Sequence, residues 1–291
     1  METRKPYVAG QFYEKDGILL KEQLKRCFNH ELGPGLPDSE KAHNTIKGAI
    51  VPHAGLMFSG MCAAHSFKAL RESGDYDCFV LIGFSHGGLE SNEVVTSQLD
   101  WETPLGVAKA DKTLFSELTK HKGISEDNHA MQYEHSIEVQ LPFLQYLYEK
   151  PVILPLMVSD GCDFKKAAKN INSAVEKLGK NVCFIASSDF THYGPSFGFT
   201  PFTEDIKDNI SQMDHEAIEH IKILNTHGFL SYLISTGATI CGKNSIALLL
   251  ELLQEKVNRI ETLKYYTSGD ILGDYTNSVS YASIIFESIK L

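Results

Sequence analysis

The segment CFVLIGFSHGG, residues 78–88, decides the fold. Residues 78–83 form an uninterrupted apolar run, which is typical of a β-strand covered on both faces. Ser85 and His86 follow at once. A rigid strand aims such a side chain, and the loop after the strand leaves it accessible. The segment therefore predicts a buried sheet with a functional group at its edge.

Two other segments repeat this pattern. KGAIVPHAG (47–55) is an apolar run that ends in His53, and NVCFIASSDFTHYG (181–194) ends in Asp189 and His192. In open α/β sheets, binding sites lie at the carboxyl ends of the strands. The three strand ends therefore predict one shared site.

Apolar runs alternate with amphipathic segments along the rest of the chain. This alternation predicts an α/β fold, in which a central, mostly buried mixed β-sheet is flanked by helices. The Gly- and Pro-containing loop 31–45 lies too near the N-terminus to divide two domains, so residues 1–291 are predicted to form a single domain. Further helices are predicted at 18–30, 59–72, 134–150, 163–178, 203–222, 226–235 and 242–256, and further strands at 151–159, 261–267 and 278–287.

Composition narrows the range of partners. The chain has 27 basic and 37 acidic side chains, a net charge of −10, and no Lys/Arg cluster, which argues against nucleic acid and anionic membrane surfaces. No apolar run approaches about 18 residues, so no membrane insertion is expected. The sequence contains neither GxxxxGK[ST] nor GxGxxG, so we expect no nucleotide cofactor. A small molecule or a peptide remains as the class of ligand.

The cysteines indicate a reducing environment. None forms a CxxC pair, and a chain of this length needs no disulfides to fold. Together with an N-terminus that lacks an apolar signal region, this predicts a cytoplasmic protein. The six cysteines are Cys27, Cys62, Cys78, Cys162, Cys183 and Cys241.

Three of the candidate residues have side chains that commonly bind metals. His53 and His86 offer imidazole nitrogens, which suit Fe, Cu and Zn. Cys241 precedes a predicted helix, where the helix dipole is expected to favour the thiolate. The alternatives are histidines that only cap strands, a Cys241 that is inert in the core, or a nucleophilic Cys241 with His192 as its base in a metal-free hydrolase.

Other polar segments have weaker interpretations. Asp189 and His192 fit a general base and its orienting partner, or loop residues that only satisfy hydrogen bonds. Glu134 and Glu138 are predicted to share one face at the start of helix 134–150. The residues GFSHG match the GxSxG motif of a hydrolase nucleophile elbow, but the residues that follow do not predict the helix that this elbow requires.

Seven segments, in this order, resemble the Memo family over about residues 6–287. The match is closest to archaeal and bacterial members, judging by the short N-terminus. The segments are VAGQFY (8–13), IVPHAGLMFSG (50–60), LIGFSHGG (81–88), EHSIEVQLPFLQ (134–145), SSDFTHYG (187–194), TICGKNSI (239–246) and SGDILGD with VSYAS (268–283).

The Memo family is similar in architecture to the class III extradiol dioxygenases, the LigB type, which use Fe(II) held by two histidines and a carboxylate. This resemblance implies that His53 and His86 are metal ligands and that Cys241 replaces the carboxylate. It also implies that His192 is the catalytic histidine, with Asp189 beside it. Glu134 and His135 belong to a family signature whose role the resemblance does not define.

The replacement of a carboxylate by cysteine bears on the chemistry. A thiolate is a softer ligand and favours Cu(I), Zn(II) or a redox-active Fe site, so ring cleavage does not follow from the fold. We therefore expect a mononuclear Fe(II) or Cu site, with Zn as a third option, in a metal-dependent oxidoreductase of unknown substrate. The alternative is a non-catalytic module that binds a peptide or a metal.

Overall fold

The computed structural model describes residues 3–38, 45–89 and 93–289, so residues 39–44 of the predicted loop 31–45 lie outside it. The strands are β1 Thr3–Arg4, β2 Thr45–Val51, β3 Cys78–Gly83, β4 Val94–Thr96, β5 Asp100–Thr103, β6 Gly106–Ala110, β7 Ile124–Glu126, β8 Val152–Val158, β9 Val182–Ser187, β10 His192–Tyr193, β11 Arg259–Thr267 and β12 Ser278–Ser288. The α-helices are α1 Gly17–Asn29, α2 Leu56–Ser73, α3 Lys112–Leu118, α4 Asn128–Gln132, α5 Leu141–Leu147, α6 Phe164–Leu178, α7 Ile206–Lys222, α8 Thr226–Thr236, α9 Lys243–Leu253 and α10 Ser268–Leu272.

These strands join into one mixed sheet. Its main path runs β1-β5-β6-β8-β3-β9-β2-β12-β10, and β11 pairs with β12 outside this path. The central strands β8, β3, β9 and β2 are mutually parallel, whereas β12 is antiparallel to β2. The carboxyl ends of the four parallel strands therefore meet at one edge of the sheet.

Both faces of the sheet are buried, as the apolar strand runs predict. Along β3, Val80 and Ile82 pack into one apolar core with helices α6, α7, α8 and α9. Phe79 and Leu81, which alternate with them, pack into a second core with α1, α2 and α5. Side chains of a strand point alternately to opposite faces, so an unbroken apolar run is what two helical layers require.

The predicted α/β fold with a mixed central sheet flanked by helices is confirmed. The prediction of one helix over 134–150 was wrong, because a 3₁₀ turn at Glu138–Gln140 and α5 at Leu141–Leu147 are the helical parts of this segment. Glu134 therefore precedes the helix, and its side chain forms hydrogen bonds with His86. The short helix α10 directly follows β11. No helix in the described residues is long and apolar enough to cross a membrane.

Candidate metal centre

The residues predicted from the sequence meet at the carboxyl edge of the parallel strands. His53 follows β2, His86 follows β3, and the loop Ser188–Thr191 follows β9. Cys241 comes from the turn before α9 and reaches the same edge. Backbone pairing between the strands fixes the spacing of these loops, because β2 and β3 both pair with β9.

The hydrogen bonds of His53 define which ring nitrogen is protonated. The Ser187 hydroxyl donates to the Ser136 carbonyl at 2.5 Å and accepts from the Gln140 amide at 2.9 Å. The hydroxyl proton of Ser187 is therefore already donated to Ser136, so the Ser187 oxygen can only accept from His53. Nδ1 of His53, which lies 2.9 Å from that oxygen, must carry the hydrogen. The other nitrogen, Nε2, then carries a lone pair. Burial and the neighbouring imidazoles lower the pKa of His53 well below its usual value, which keeps the ring neutral.

His86 is oriented by a buried carboxylate. Its Nδ1 lies 2.9 Å from Glu134 Oε1, and its backbone N–H donates to Oε2 at 2.8 Å. The Nδ1 hydrogen therefore faces the carboxylate, and Nε2 is the ring nitrogen that could bind a metal. A histidine held by a carboxylate in this way is a common arrangement around protein-bound metals.

Glu134 is held as an anion by several donors. Burial opposes its ionisation, but the ring hydrogen bond from His86, the electrostatic attraction of His86, and hydrogen bonds from the backbone N–H groups of His86 and Ser136 outweigh it. Together they lower the pKa of Glu134 to about 2. Glu134 lies before the helix, and from there it reaches His86. This contact gives the segment EHS (134–136) a structural role, which the sequence had left undefined.

His135 forms a third imidazole beside the other two. Its ring stacks on that of His86, with centroids 4.2 Å apart, and meets the His53 ring edge-on at 5.6 Å. The Phe12 ring also packs against His135, with ring centroids 4.6 Å apart. Burial and the nearby His86 lower the pKa of His135, so this ring is also neutral near pH 7.

Cys241 is in contact with His53 rather than with His192. Its Sγ lies 3.3 Å from His53 Nε2 and 3.6 Å from the Asp189 carbonyl. The predicted thiolate was wrong for the protein without a metal. Burial and the Asp189 charge raise the pKa of the thiol well above its usual value and outweigh the favourable start of α9. A bound cation would be needed to stabilise the thiolate at neutral pH.

The described residues contain two overlapping groups whose ligand atoms lie within 4.8 Å of one another. One consists of His53, His86 and His135, and the other of His53, Asp189 and Cys241. The predicted ligands His53, His86 and Cys241 are thus divided between two groups that share His53. His135, whose role the sequence left undefined, belongs to the first.

Asp189 is buried against the loop that carries His53. Its Oδ1 accepts hydrogen bonds from the backbone N–H groups of His53, at 2.8 Å, and Ala54, at 3.3 Å. Burial raises the pKa of this carboxyl group, although nearby His192 acts in the opposite direction. Asp189 therefore positions the backbone of His53 and also offers an oxygen atom to the second group.

His192 lies outside both groups and is oriented by main-chain atoms. Its Nδ1 lies 2.9 Å from the Phe190 carbonyl and 3.1 Å from the Thr239 carbonyl. Carbonyl oxygens only accept hydrogen bonds, so Nδ1 carries the proton and Nε2 is available as a base. In the described residues the orienting partners of His192 are thus these carbonyls. Asp189 instead accepts hydrogen bonds from loop N–H groups, which is the alternative that the sequence left open.

A second buried network holds Phe12 against the site, and sequence reasoning missed it. Glu138 forms an ion pair with buried Arg4, accepts from the hydroxyl of Tyr13 at 2.5 Å, and accepts from the backbone N–H groups of Tyr7 and Val8. A charged residue among apolar ones in EHSIEVQLP was the available signal, but its distant partners could not be deduced from spacing.

An α/β sheet with imidazole, thiol and carboxylate groups at the ends of parallel strands defines a protein with a candidate metal centre. Residues 4–285 match the family described as Memo-like protein, and the chain belongs to this family. Memo family relatives include proteins of Methanopyrus kandleri, 37% identical over 97% of this chain and 98% of the relative, and of Methanothermobacter thermautotrophicus, 34% identical over 97% and 99%.

A solved structure has a similar fold. The crystal structure of an uncharacterized protein from Escherichia coli K12 superimposes with a TM-score of 0.55. The match covers 82% of this chain and 99% of the other, at 10% sequence identity. This similarity concerns the fold alone.

Proposed function

We propose that this Memo-like protein binds a single metal ion through His53, His86 and Cys241 and acts as a metal-dependent oxidoreductase. The observation that supports it most directly is the 3.3 Å contact between His53 Nε2 and Cys241 Sγ. Ser187 and Glu134 hold the Nδ1 hydrogens of the two histidines, so Nε2 is the ring nitrogen left for a metal in each. Two imidazoles and an ionisable thiol are a suitable donor set for a transition metal.

The donor types favour Fe(II) or Cu, with Zn as a further option. A metal held by imidazole and thiolate could supply electron transfer or Lewis-acid polarisation of a bound substrate. Ring-cleaving dioxygenase chemistry is not part of this proposal, since the family resemblance implies that Cys241 replaces the carboxylate ligand of those enzymes.

His192 and Asp189 complete the proposed site. His192 would accept or donate a proton at Nε2, because two carbonyls hold its Nδ1 hydrogen. The Asp189 carboxylate would position His53 by accepting a hydrogen bond from the His53 backbone N–H. The protein would work in the cytoplasm, where reducing conditions preserve a thiol ligand; all six cysteines are free in the structure.

Metal content tests the proposal. The protein would be purified anaerobically and loaded in turn with Fe(II), Cu(I) and Zn(II), alongside His86→Ala, Cys241→Ser and His135→Ala. Exposed His227 lies on α8, away from the site, so His227→Ala is a matched control. We expect one metal per chain in wild type, His227→Ala and His135→Ala, and loss in the other two variants. Retention by Cys241→Ser with loss in His135→Ala would instead assign the three-histidine group.

A binding module is the second candidate, and a separate groove favours it. A cavity of about 700 Å³ lies beside the N-terminal segment and α4, and Lys5, Tyr7, His129 and Tyr133 are among its lining residues. An aromatic and basic lining suits a peptide. If no metal binds under any loading condition, this groove becomes the primary candidate, and peptide-library binding to wild type and Tyr7→Ala would test it.

A further inference from the structure

A fourth strand end adjoins the metal centre. β8, which pairs with β3, is followed by Ser159 and Asp160. These residues line a cavity of about 210 Å³ that extends to Cys241 and the first turn of α9. This volume is below the usual 300–1,000 Å³ of pockets for drug-sized ligands, so the cavity suits a smaller molecule.

The lining of the cavity contains both apolar and polar groups. Phe84, Leu89 and Val158 contribute apolar side chains, whereas Ser159, Lys243 and Asn244 contribute polar ones. Such a lining fits a molecule with a short apolar or aromatic body and one polar group. Ser85 also lines the cavity, but its hydroxyl donates to the Gly88 carbonyl at 2.9 Å.

Two unsatisfied features indicate what the polar group is. Ser159 is only 5% exposed, and its Oγ has no hydrogen-bond partner in the described residues. Gly242, the residue before α9, has no side chain to cap the N–H groups of the first turn in the described chain, and its own N–H donates to Ser188 Oγ at 3.0 Å. Hydroxyl and N–H donors beside a helix N-terminus favour an anionic oxygen ligand.

Two further donors of the cavity, the side chains of Lys243 and Asn244, already face a carboxylate. The Asp160 Oδ1 atom accepts from Asn244 Nδ2 at 2.9 Å and lies 3.6 Å from Lys243 Nζ. The Asp160 side chain is 85% exposed, and exposed ion pairs contribute little stability. A ligand carboxylate can therefore compete with that of Asp160 for Lys243 and Asn244.

We propose that this cavity binds a small carboxylic acid with a short apolar or aromatic body. Its carboxylate is held by Lys243, Asn244 and Ser159, and its body lies against Phe84, Leu89 and Val158, beside Cys241. As a substrate subsite this rests on the proposed metal function, since Cys241 is a proposed ligand. The binding step itself needs no metal.

Benzoate is a suitable probe, with uncharged benzamide as its matched analogue. Binding to metal-free protein would be followed by NMR shifts of the backbone amides in the first turn of α9. We expect saturable binding of benzoate and at least tenfold weaker binding of benzamide, because a charge-assisted hydrogen bond is lost. Lys243→Gln should weaken benzoate binding about tenfold.

Asp160→Asn should change benzoate affinity in the opposite direction to Lys243→Gln. It removes the competing carboxylate and should strengthen benzoate binding severalfold, whereas Lys222→Gln on α7 should change nothing. Equal binding of benzamide, equal binding to Lys243→Gln, or weaker binding to Asp160→Asn would overturn the subsite. Binding that occurs only in metal-loaded protein and is insensitive to Lys243→Gln would assign benzoate to the metal instead. Because metal content is measured separately, failure of the subsite would not be confused with failure of the metal site.

Discussion

Nε2 of His53 lies 3.3 Å from Sγ of Cys241, although 188 residues separate them in the chain. The contact joins the end of strand β2 to the turn before helix α9. Only a neutral His53 with its hydrogen on Nδ1 can present a lone pair there, and Ser187 selects that tautomer. The proposed metal centre therefore depends on residues that would never touch the metal.

Ser187→Ala should weaken metal binding by roughly 10- to 100-fold, the usual effect of losing a partner of a metal-bound histidine. The substitution removes the acceptor for His53 Nδ1 and one acceptor of the buried Gln140 amide. Competitive titration with a chelator would measure the change. Ser231→Ala, at an exposed position on α8, is the control. An unchanged affinity in Ser187→Ala would show that Ser187 does not orient His53.

Glu134→Gln should remove part of the acid sensitivity of the metal-free protein. The pKa of Glu134 is lowered from 4.5 to about 2 in the folded state. Its stabilising contribution is therefore complete above the unfolded pKa and is lost as the pH falls towards the folded one. Between pH 7 and pH 3 this loss amounts to about 2 kcal/mol. Urea unfolding at both pH values should give a smaller decrease for the variant than for wild type, and equal decreases would contradict the assignment.

Metal binding should release the thiol proton of Cys241. Its pKa is raised in the metal-free protein, so the thiol is protonated near neutrality, whereas His53 is already neutral because its pKa is lowered. Between pH 7.5 and pH 8.5 the affinity should rise about tenfold, because one proton is displaced. Metal titration in buffers of matched ionic strength would give the slope. A wild-type affinity that does not vary with pH would exclude the thiolate as a ligand.

Glu138→Ala should destabilise the fold by about 3–5 kcal/mol, because it leaves the Arg4 guanidinium buried without its counter-charge. Chemical unfolding would measure this, with exposed Glu22→Ala on α1 as the control. The N-terminal segment that places Phe12 against His135 should loosen first, which hydrogen exchange at Tyr7 and Val8 would detect. A loss similar to that of Glu22→Ala would show that the pair contributes little.

The sequence alone determined the sheet and the positions of His53 and His86. Apolar runs of strand length specify strands covered on both faces, because alternate side chains of each strand must be buried on opposite sides. The register of β3 shows this, with Val80 and Leu81 in different cores. Residues directly after such strands lie at the sheet edge because the strand itself ends there, and this placement does not depend on distant residues. Ser159 also lies directly after a strand, β8, although the sequence predicted it within the strand 151–159.

Tertiary structure alone decided the chemical state of the site. The helix start near Cys241 predicts a thiolate, but the energetic cost of burying a charge exceeds the effect of the helix dipole, so the thiol stays protonated without a metal. Likewise, no spacing rule connects Glu134 to His86, 48 residues away, or Arg4 to Glu138. Hydrogen bonds and burial depend on which distant residues become neighbours, and packing of the complete chain is what determines those neighbours.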